Sequence, residues 1–536
     1  MSPAPSPAEP SSASQQKPSG GLLKSSALVA MMTMLSRVLG LTRDVVIANF
    51  IGASAAADAF FVAFKIPNFM RRLFAEGAFS QAFVPVLSEY RSQRSVAEVQ
   101  ALLDRVAGVL AGSLALFTAL AVIGAPVLAA IFAPGWFMHA EHKYELASGM
   151  IQITFPYLLL ISLTGFAGAI LNSYGRFAPP AFTPVLLNIV LILAAIIASP
   201  WFQQPAFALA WGVLLAGVIQ LLFQWPFLKS LKLVPSPVWD TKDEGVRRIL
   251  ALMGPAIFGV SVSQINLLLD TVLASFLPSG SVSWLYYSDR LVELPLGVFA
   301  IAISTVILPN LSRHQASNSP EAFTQTMDWA IRCVLLIAIP AATALIILAE
   351  PILLTLFQYG EMTAHDIHMA AFSLRAYSMG LLAFMLIKVL APGYYSRQDT
   401  KTPVRIGIKA MVANMLLNVL FVVPLHFYFS LGHVGLALAT AVSAFLNAGL
   451  LYWGLYQTGV YRPQAGMYRV LVQVLAAALL MAITLLYLLP DITLWQQWGW
   501  VTRCWQVFWL CAAGVLAYLL ALLLLGLRPR QFRVRH

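Results

Sequence analysis

Charge is what this chain has least of. Only 10% of its 536 residues are Asp, Glu, Lys or Arg, and 60% are hydrophobic, whereas soluble domains carry about 25% charged residues. That scarcity excludes an ordinary soluble fold and points to a protein that crosses a membrane many times. Cysteine is nearly missing as well. Cys333, Cys504 and Cys511 stand apart in apolar segments, which excludes a disulfide framework or a thiolate metal site. There is no glycine-rich phosphate loop, no metal-spaced histidine pair and no large extramembrane segment to carry an acid/base pair, so no catalytic role and no tightly bound cofactor are expected. The net charge of +11 is spread over short loops rather than gathered in one patch, which argues against a nucleic-acid partner.

Apolar runs are what the chain has in abundance, each needing about 20 residues to span a bilayer. They lie near 24–49, 57–88, 104–134, 146–174, 181–199, 205–228, 246–277, 281–311, 322–349, 366–395, 403–425, 432–457, 467–489 and 500–527. The expected fold is therefore all-α and polytopic, with about 14 transmembrane helices. The connecting loops alternate in charge. One set carries Arg91, Arg94, Arg105, Arg176, Lys229, Lys232, Lys242, Arg247, Arg248, Arg313, Arg397, Lys401, Arg405 and Arg462; the other holds almost no Lys or Arg beyond Lys143. Positively charged loops stay on the cytoplasmic side, so both termini are expected there. Residues 1–21, rich in Pro, Ser and Ala, read as a disordered cytoplasmic tail and lack the order of a signal peptide.

The chain also repeats itself. AFSQAFVPVLSEYRS (78–92) aligns with AISTVILPNLSRHQA (302–316), and SYGRF with TPV (173–177, 183–185) resembles YSRQD with TPV (395–399, 402–404). The matched helices are six apart, an even number, so the halves insert in the same orientation. Parallel repeats of this kind build transporters with a site between the repeats. The expected domains are a six-helix lobe over 22–230 and a second over 231–458, around a central cavity. Residues 459–536 form two further helices and a basic tail.

The few charges inside the apolar runs mark the cavity. Asp58, Lys65, Arg72 and Glu76 fall on one helical face, since steps of seven and four residues return to nearly the same angle. Arg71 and Arg72 lie roughly 20 Å along that helix, too deep to snorkel out. Charges at that depth are expensive unless they line a wet, protein-walled space. Arg37 and Arg43 sit six residues apart, roughly 120° on a regular helix, so both line one cavity only if the helix bends at Gly40. Arg290 lies within reach of Glu293. Arginine supplies planar forks to phosphate oxygens, and the excess of cations reads as a site for a multiply anionic group. The competing interpretation is structural ion pairing, as in Arg72–Glu76 and Arg290–Glu293. Asp270, with Asn414, Asn418 and Thr440, offers oxygens for a small cation such as sodium, or simply hydrogen bonds between helices.

SRVLGLTRD (36–44), DAFFVAFKIPNFMRRLFAEGAFSQAFVPVLSEY (58–90), SVSWLYYSDRLVELP (281–295), FQYG (357–360) and KVLAPGYYSRQDTKTPV (388–404) together resemble the MviN/MurJ family. These are the lipid II flippases of bacterial peptidoglycan synthesis, within the multidrug/oligosaccharidyl-lipid/polysaccharide exporter superfamily. The resemblance covers essentially 22–530. It implies a V-shaped pair of six-helix lobes plus two helices forming an apolar groove. It implies transport of lipid II (undecaprenyl-pyrophosphate-linked disaccharide pentapeptide) from the inner to the outer leaflet of the bacterial cytoplasmic membrane by alternating access. Arg37, Arg43 and Arg290 then match the family's central-cavity arginines, and Asp58, Lys65, Arg71, Arg72 and Glu76 its second-helix charges. Asp270, Asn414, Asn418 and Thr440 match a sodium site found in some relatives. Coupling to sodium, protons or membrane potential is implied, as are contacts with membrane lipids and with cell-wall synthesis and division proteins. The alternatives are a flippase for another polyprenyl-linked saccharide or a drug/cation antiporter of the same superfamily. A membrane enzyme on polyprenyl phosphates or a transport-dead scaffold stands further off.

Overall fold

The computed structural model describes residues 20–532, so nearly all of the expected N-terminal tail lies outside the described residues, as does the side chain of Glu76. Among the described residues all regular structure is helical. Helix α1 (Gly20–Ile51) is unbroken. The second expected span consists of α2 (Ala55–Arg71), a π-helical stretch at Arg72–Phe79 and α3 (Ser80–Gln93). Then come α4 (Val96–Ile123), short α5 (Ala125–Phe132) and α6 (Pro134–His139), α7 (Glu141–Thr154) running on into α8 (Tyr157–Ser173), α9 (Ala178–Leu193) and α10 (Pro205–Ser230). The second half repeats the pattern. It has α11 (Glu244–Ala274), α12 (Ser281–Pro295), a π turn at Leu296–Ala300, α13 (Ile301–Ala316), α14 (Pro320–Ile347), α15 (Ala349–Phe357), α16 (Ala364–Met379) with α17 (Leu381–Tyr395), α18 (Lys401–Phe429) and α19 (Gly432–Gln457). The chain closes with α20 (Met467–Leu488), short α21 (Ile492–Gln497) and α22 (Trp500–Leu524).

Ten of these helices are long and apolar enough to cross a membrane by length and composition. The other four expected spans, near 24–49, 57–88, 246–277 and 281–311, are helical too, but they hold the intramembrane charges or are interrupted by π turns. The internal repeat extends to those interruptions. A π stretch begins thirteen residues before Pro85 in the first half, at Arg72, and thirteen before Pro309 in the second, at Leu296. Such bulges concentrate at functional sites because they break the regular ladder and re-aim side chains.

Packing follows the apolar stripes. In the first half α1 lies on α9, α10 on α8 and α9, and α2 on α7; in the second α12 lies on α16, α18 on α19, and α14 on α17. The last pair, α20 and α22, docks on α14, where Tyr518 donates to the Leu336 carbonyl at 2.7 Å and Trp329 Nε1 to the Phe532 carbonyl at 2.9 Å.

The two halves meet closely at the face whose loops lack Lys and Arg. Asp58, fully buried, accepts from the Gly280 and Ser283 amides at 2.7 and 3.0 Å, from the Ser283 hydroxyl at 2.6 Å and from Lys143 Nζ at 2.7 Å. A carboxylate from α2 thus caps the N-terminus of α12, where orphan amides and the helix dipole favour negative charge. Nearby, Gly52 and Gly360 both have positive φ, 58° each, and a Cβ on Gly52 would stand 2.6 Å from the Glu361 carbonyl oxygen. The Glu361 amide donates to the Asn49 carbonyl at 3.0 Å, so this seam is main chain against main chain. Tyr287 adds a hydroxyl to the Gly52 carbonyl at 2.8 Å. Replacing Asp58 with Ala leaves Lys143 buried without its carboxylate and uncaps α12. A loss of about 3–5 kcal/mol is expected, read as a lowered Tm of the detergent-purified protein; an unchanged Tm would refute the latch.

Candidate functional site

Behind that seam lies a cavity of about 310 Å³, bounded by α1, α2, α9, α11, α12, α16 and α19. Arg43, Lys65, Arg71, Arg72 and Arg290 line it, together with Asp270, Asp289 and Glu293. Behind Arg43 and Arg290 in its wall lies Asp44, completely buried. Arg290 Nε stands 2.6 Å from Asp44 Oδ2, while Arg43 donates to Asp44 Oδ1 through Nε at 3.0 Å and Nη2 at 2.9 Å. One carboxylate therefore serves two guanidinium groups. Arg290 turns its Nη1 to Glu293 at 3.0 Å. Tyr286 joins the cluster by donating to Asp44 Oδ1 at 2.9 Å, and its oxygen accepts from Arg43 at 3.1 Å and Arg290 at 3.3 Å. Asn188, from α9, fixes the far side of Arg43 at 3.0 Å.

Local sequence explains this arrangement. Arg43 and Asp44 are neighbours on α1, and the Asn188 amide also donates to the Ser36 carbonyl at 2.9 Å, which seats α9 against α1. Tyr286 and Arg290 are four apart on α12, so they share a face. Phe61 stacks on Tyr286 with centroids 4.0 Å apart, placing an apolar wall beneath the charges. Among the described residues, the lining together with Asp44 behind it holds one more cation than anion.

The sequence-derived candidates separate into those the cavity gathers and those it does not. Arg43, Lys65, Arg71, Arg72 and Arg290 line it; Asp58 belongs to the seam. Asp58 does share a helical face with Lys65, but seven residues amount to roughly 10 Å of rise, enough to carry it past the closed end. Arg37 and Arg43 also part company. Helix α1 does not break at Gly40, so the angular offset persists, and Arg37 instead lies against Gly297 in the second π turn. Asp270 is contacted by Asn418 Nδ2 at 3.0 Å and Thr440 Oγ1 at 3.5 Å, and Asn414 Oδ1 accepts from Ser443 at 3.4 Å. Asn418 Oδ1 is buried with no hydrogen-bond partner among the described residues. An orphaned oxygen beside a carboxylate, an amide and a hydroxyl fits the oxygen-rich shell that a small hard cation takes. Lys65 comes close to this set, donating to Thr271 at 3.0 Å, a proximity across two helices that sequence spacing does not reveal. Asn188 and Tyr286 were likewise missed; a lone amide in an apolar run and a Tyr one turn before Arg290 were the available signals.

Comparison with known proteins identifies the group to which this architecture belongs. A family profile described as "Lipid II flippase MurJ" matches residues 47–509. The chain belongs to the MurJ family. It is 52% identical over 518 residues to "Probable lipid II flippase MurJ" of Vibrio cholerae, covering 96% of this chain and 98% of that one. It is 44% identical over 466 residues to "Lipid II flippase MurJ" of Burkholderia cenocepacia, covering 86% and 89%. Among solved structures, "Lipid II flippase MurJ, inward closed conformation" superposes with a TM-score of 0.77 at 26% identity, covering 92% of this chain and 98% of that one. An inward-facing multidrug resistance transporter of the MATE family shares the fold, with a TM-score of 0.65 at 16% identity, over 81% of this chain and 98% of that one. The MurJ-family chain is thus a multi-pass membrane transporter with its charged cavity at the interface of two related halves.

Arg43→Lys keeps the charge but loses the fork that spans Asp44, Asn188 and Tyr286. Complementation of a MurJ-depleted bacterium is expected to fail although the variant accumulates at normal levels; full growth would show that charge alone suffices.

Proposed function

We propose that this chain moves lipid II from the inner to the outer leaflet of the bacterial cytoplasmic membrane, without altering it chemically, to supply cell-wall synthesis. The observation that carries this reading is the shared carboxylate. Because Asp44 is divided between Arg43 and Arg290 while Glu293 lies against Arg290, Arg43 has no carboxylate to itself, and an incoming pyrophosphate supplies the missing negative charge. Arg71, Arg72 and Lys65 line the same space and add charge-assisted hydrogen bonds to phosphate oxygens. The long polyprenyl tail stays in lipid, guided along the apolar surface of α20 and α22, whose Leu479, Leu486, Phe508 and Leu516 are exposed.

The loops rich in Lys and Arg face the cytoplasm in this scheme, with both termini on that side. The Asp58 seam then closes the outer side, and the head group enters from the cytoplasmic leaflet. Two six-helix lobes, 22–230 and 231–458, rock about the cavity to break the seam and open outward. Outward transfer of an anion is downhill in an inside-negative potential by about 2.3 kcal/mol per charge per 100 mV. A sodium ion held by Asp270, Asn414, Asn418 and Thr440 would supply fixed positive charge beside Lys65 and tie α11 to α18 and α19.

In cells depleted of their own flippase, Arg43→Ala and Arg290→Ala are expected to leave lipid II inaccessible at the outer face while protein levels persist; normal outer-face labelling by a lipid II-specific probe would refute the cavity assignment. Sodium chloride, compared with choline chloride at equal ionic strength, is expected to raise the Tm of the wild-type protein and not that of Asp270→Ala. Equal shifts in both proteins would rule out the cation site.

A further inference from the structure

A second chamber opens beside the central cavity, inside the first half of the molecule. Its volume is about 360 Å³, within the roughly 300–1,000 Å³ typical of small-molecule sites. Arg71 and Leu187 line both spaces, so the two adjoin at the guanidinium of Arg71. The chemistry of the chamber differs from that of the cavity. Apart from Arg71 at the junction and the phenol of Tyr157, its lining carries no ionisable group among the described residues. Its polar wall is made of amides and hydroxyls held in place by one another. Tyr157 donates to Gln220 Oε1 at 3.2 Å, Gln220 Nε2 to the Thr183 carbonyl at 3.0 Å, and Gln224 Nε2 to Thr183 Oγ1 at 2.9 Å. Gln224 Oε1 is buried with no hydrogen-bond partner among the described residues. Asn172 contributes an exposed amide, and at Gly168 the absence of a side chain leaves the helix backbone as the floor.

The geometry points to this chamber as the subsite for the uncharged sugar of the head group, an N-acetylated hexosamine, rather than for its charged peptide. This assignment rests on the proposed function above and deepens it. Hydroxyl and acetamido groups are matched by neutral amides and hydroxyls, and a site built to hydrogen-bond such groups rejects ligands that lack them. Peptide carboxylates and ammonium groups find no counter-charge there beyond Arg71, and burying them unpaired is costly. Position agrees with chemistry. The sugar is bonded directly to the pyrophosphate, so a phosphate held at Arg71 delivers the adjoining ring to the chamber mouth. The chamber would therefore read the saccharide while the central cavity reads the phosphates.

The test compares two ligands on the full-length protein in nanodiscs, lipid II prepared without its peptide, so that only the sugars distinguish the pair, and undecaprenyl pyrophosphate, which lacks the sugars. Asn172→Leu removes a chamber amide at an exposed position, where folding is not at stake, and Gln224→Leu removes a buried one. Each is expected to weaken lipid II binding about three- to tenfold, the range for a lost neutral hydrogen bond, while undecaprenyl pyrophosphate binding stays within twofold. Equal weakening of both ligands, or of neither, in Asn172→Leu would overturn the assignment. Arg43→Ala probes the underlying function separately. It should weaken both ligands alike, and if it weakens neither, the phosphate reading fails regardless of what Asn172→Leu shows.

Discussion

One buried carboxylate caught between two arginines is the constraint on which the rest of this structure depends. Asp44 is inaccessible to solvent and is contacted by Arg43, Arg290 and Tyr286. Such a cluster adds little net stability because desolvation offsets the attraction, and Asp44 keeps a cation when either arginine alone is removed. The cluster is therefore poorly explained as a device for stability alone. It joins α1 to α12, one helix from each half, and it keeps two guanidinium groups at a depth where hydrocarbon would otherwise exclude them.

The Asp58 seam complements that cluster. A carboxylate satisfied by two amides, a hydroxyl and an ammonium has its hydrogen-bonding capacity well used, so the seam is a closed polar network rather than a reactive site. Beside it Gly52 packs on Glu361 and Gly360 on Asn49, too closely to admit a Cβ at either glycine. A closure built this way is specific in register, and it separates as a unit when the halves move. The cavity cluster and the seam therefore divide the labour along α2 and α12. The ends of these helices at the seam hold the halves together, and their middles face the cargo.

Much of this was legible in the sequence because membranes make charge conspicuous. Lys65, Arg71, Arg72, Arg43 and Arg290 stand out against apolar runs, and Pro85 and Pro309 mark the repeat whose π turns the structure displays. What the sequence hid was depth and partnership. A helical wheel sees the angle of Asp58 and not the rise that carries it beyond the cavity. It also cannot see that Lys143, 85 residues away, and Gly280, 222 residues away, would converge on it. Depth and partnership separate Arg37 from Arg43 as well: α1 is one continuous helix across Gly40, and Arg37 reaches Gly297 rather than the cavity lining. Asn188 and Tyr286 carry no charge and so did not stand out, although both hold Arg43 in position.

The most direct test of the central claim is the location of phosphorus in a structure of this chain with lipid II bound in a nanodisc. The account predicts pyrophosphate oxygens within roughly 3 Å of guanidinium nitrogens of Arg43, Arg71 or Arg290, the distance of a charge-assisted hydrogen bond. Phosphates lying at the membrane interface, with Arg43 still closed on Asp44 and Arg290 on Asp44 and Glu293, would contradict it.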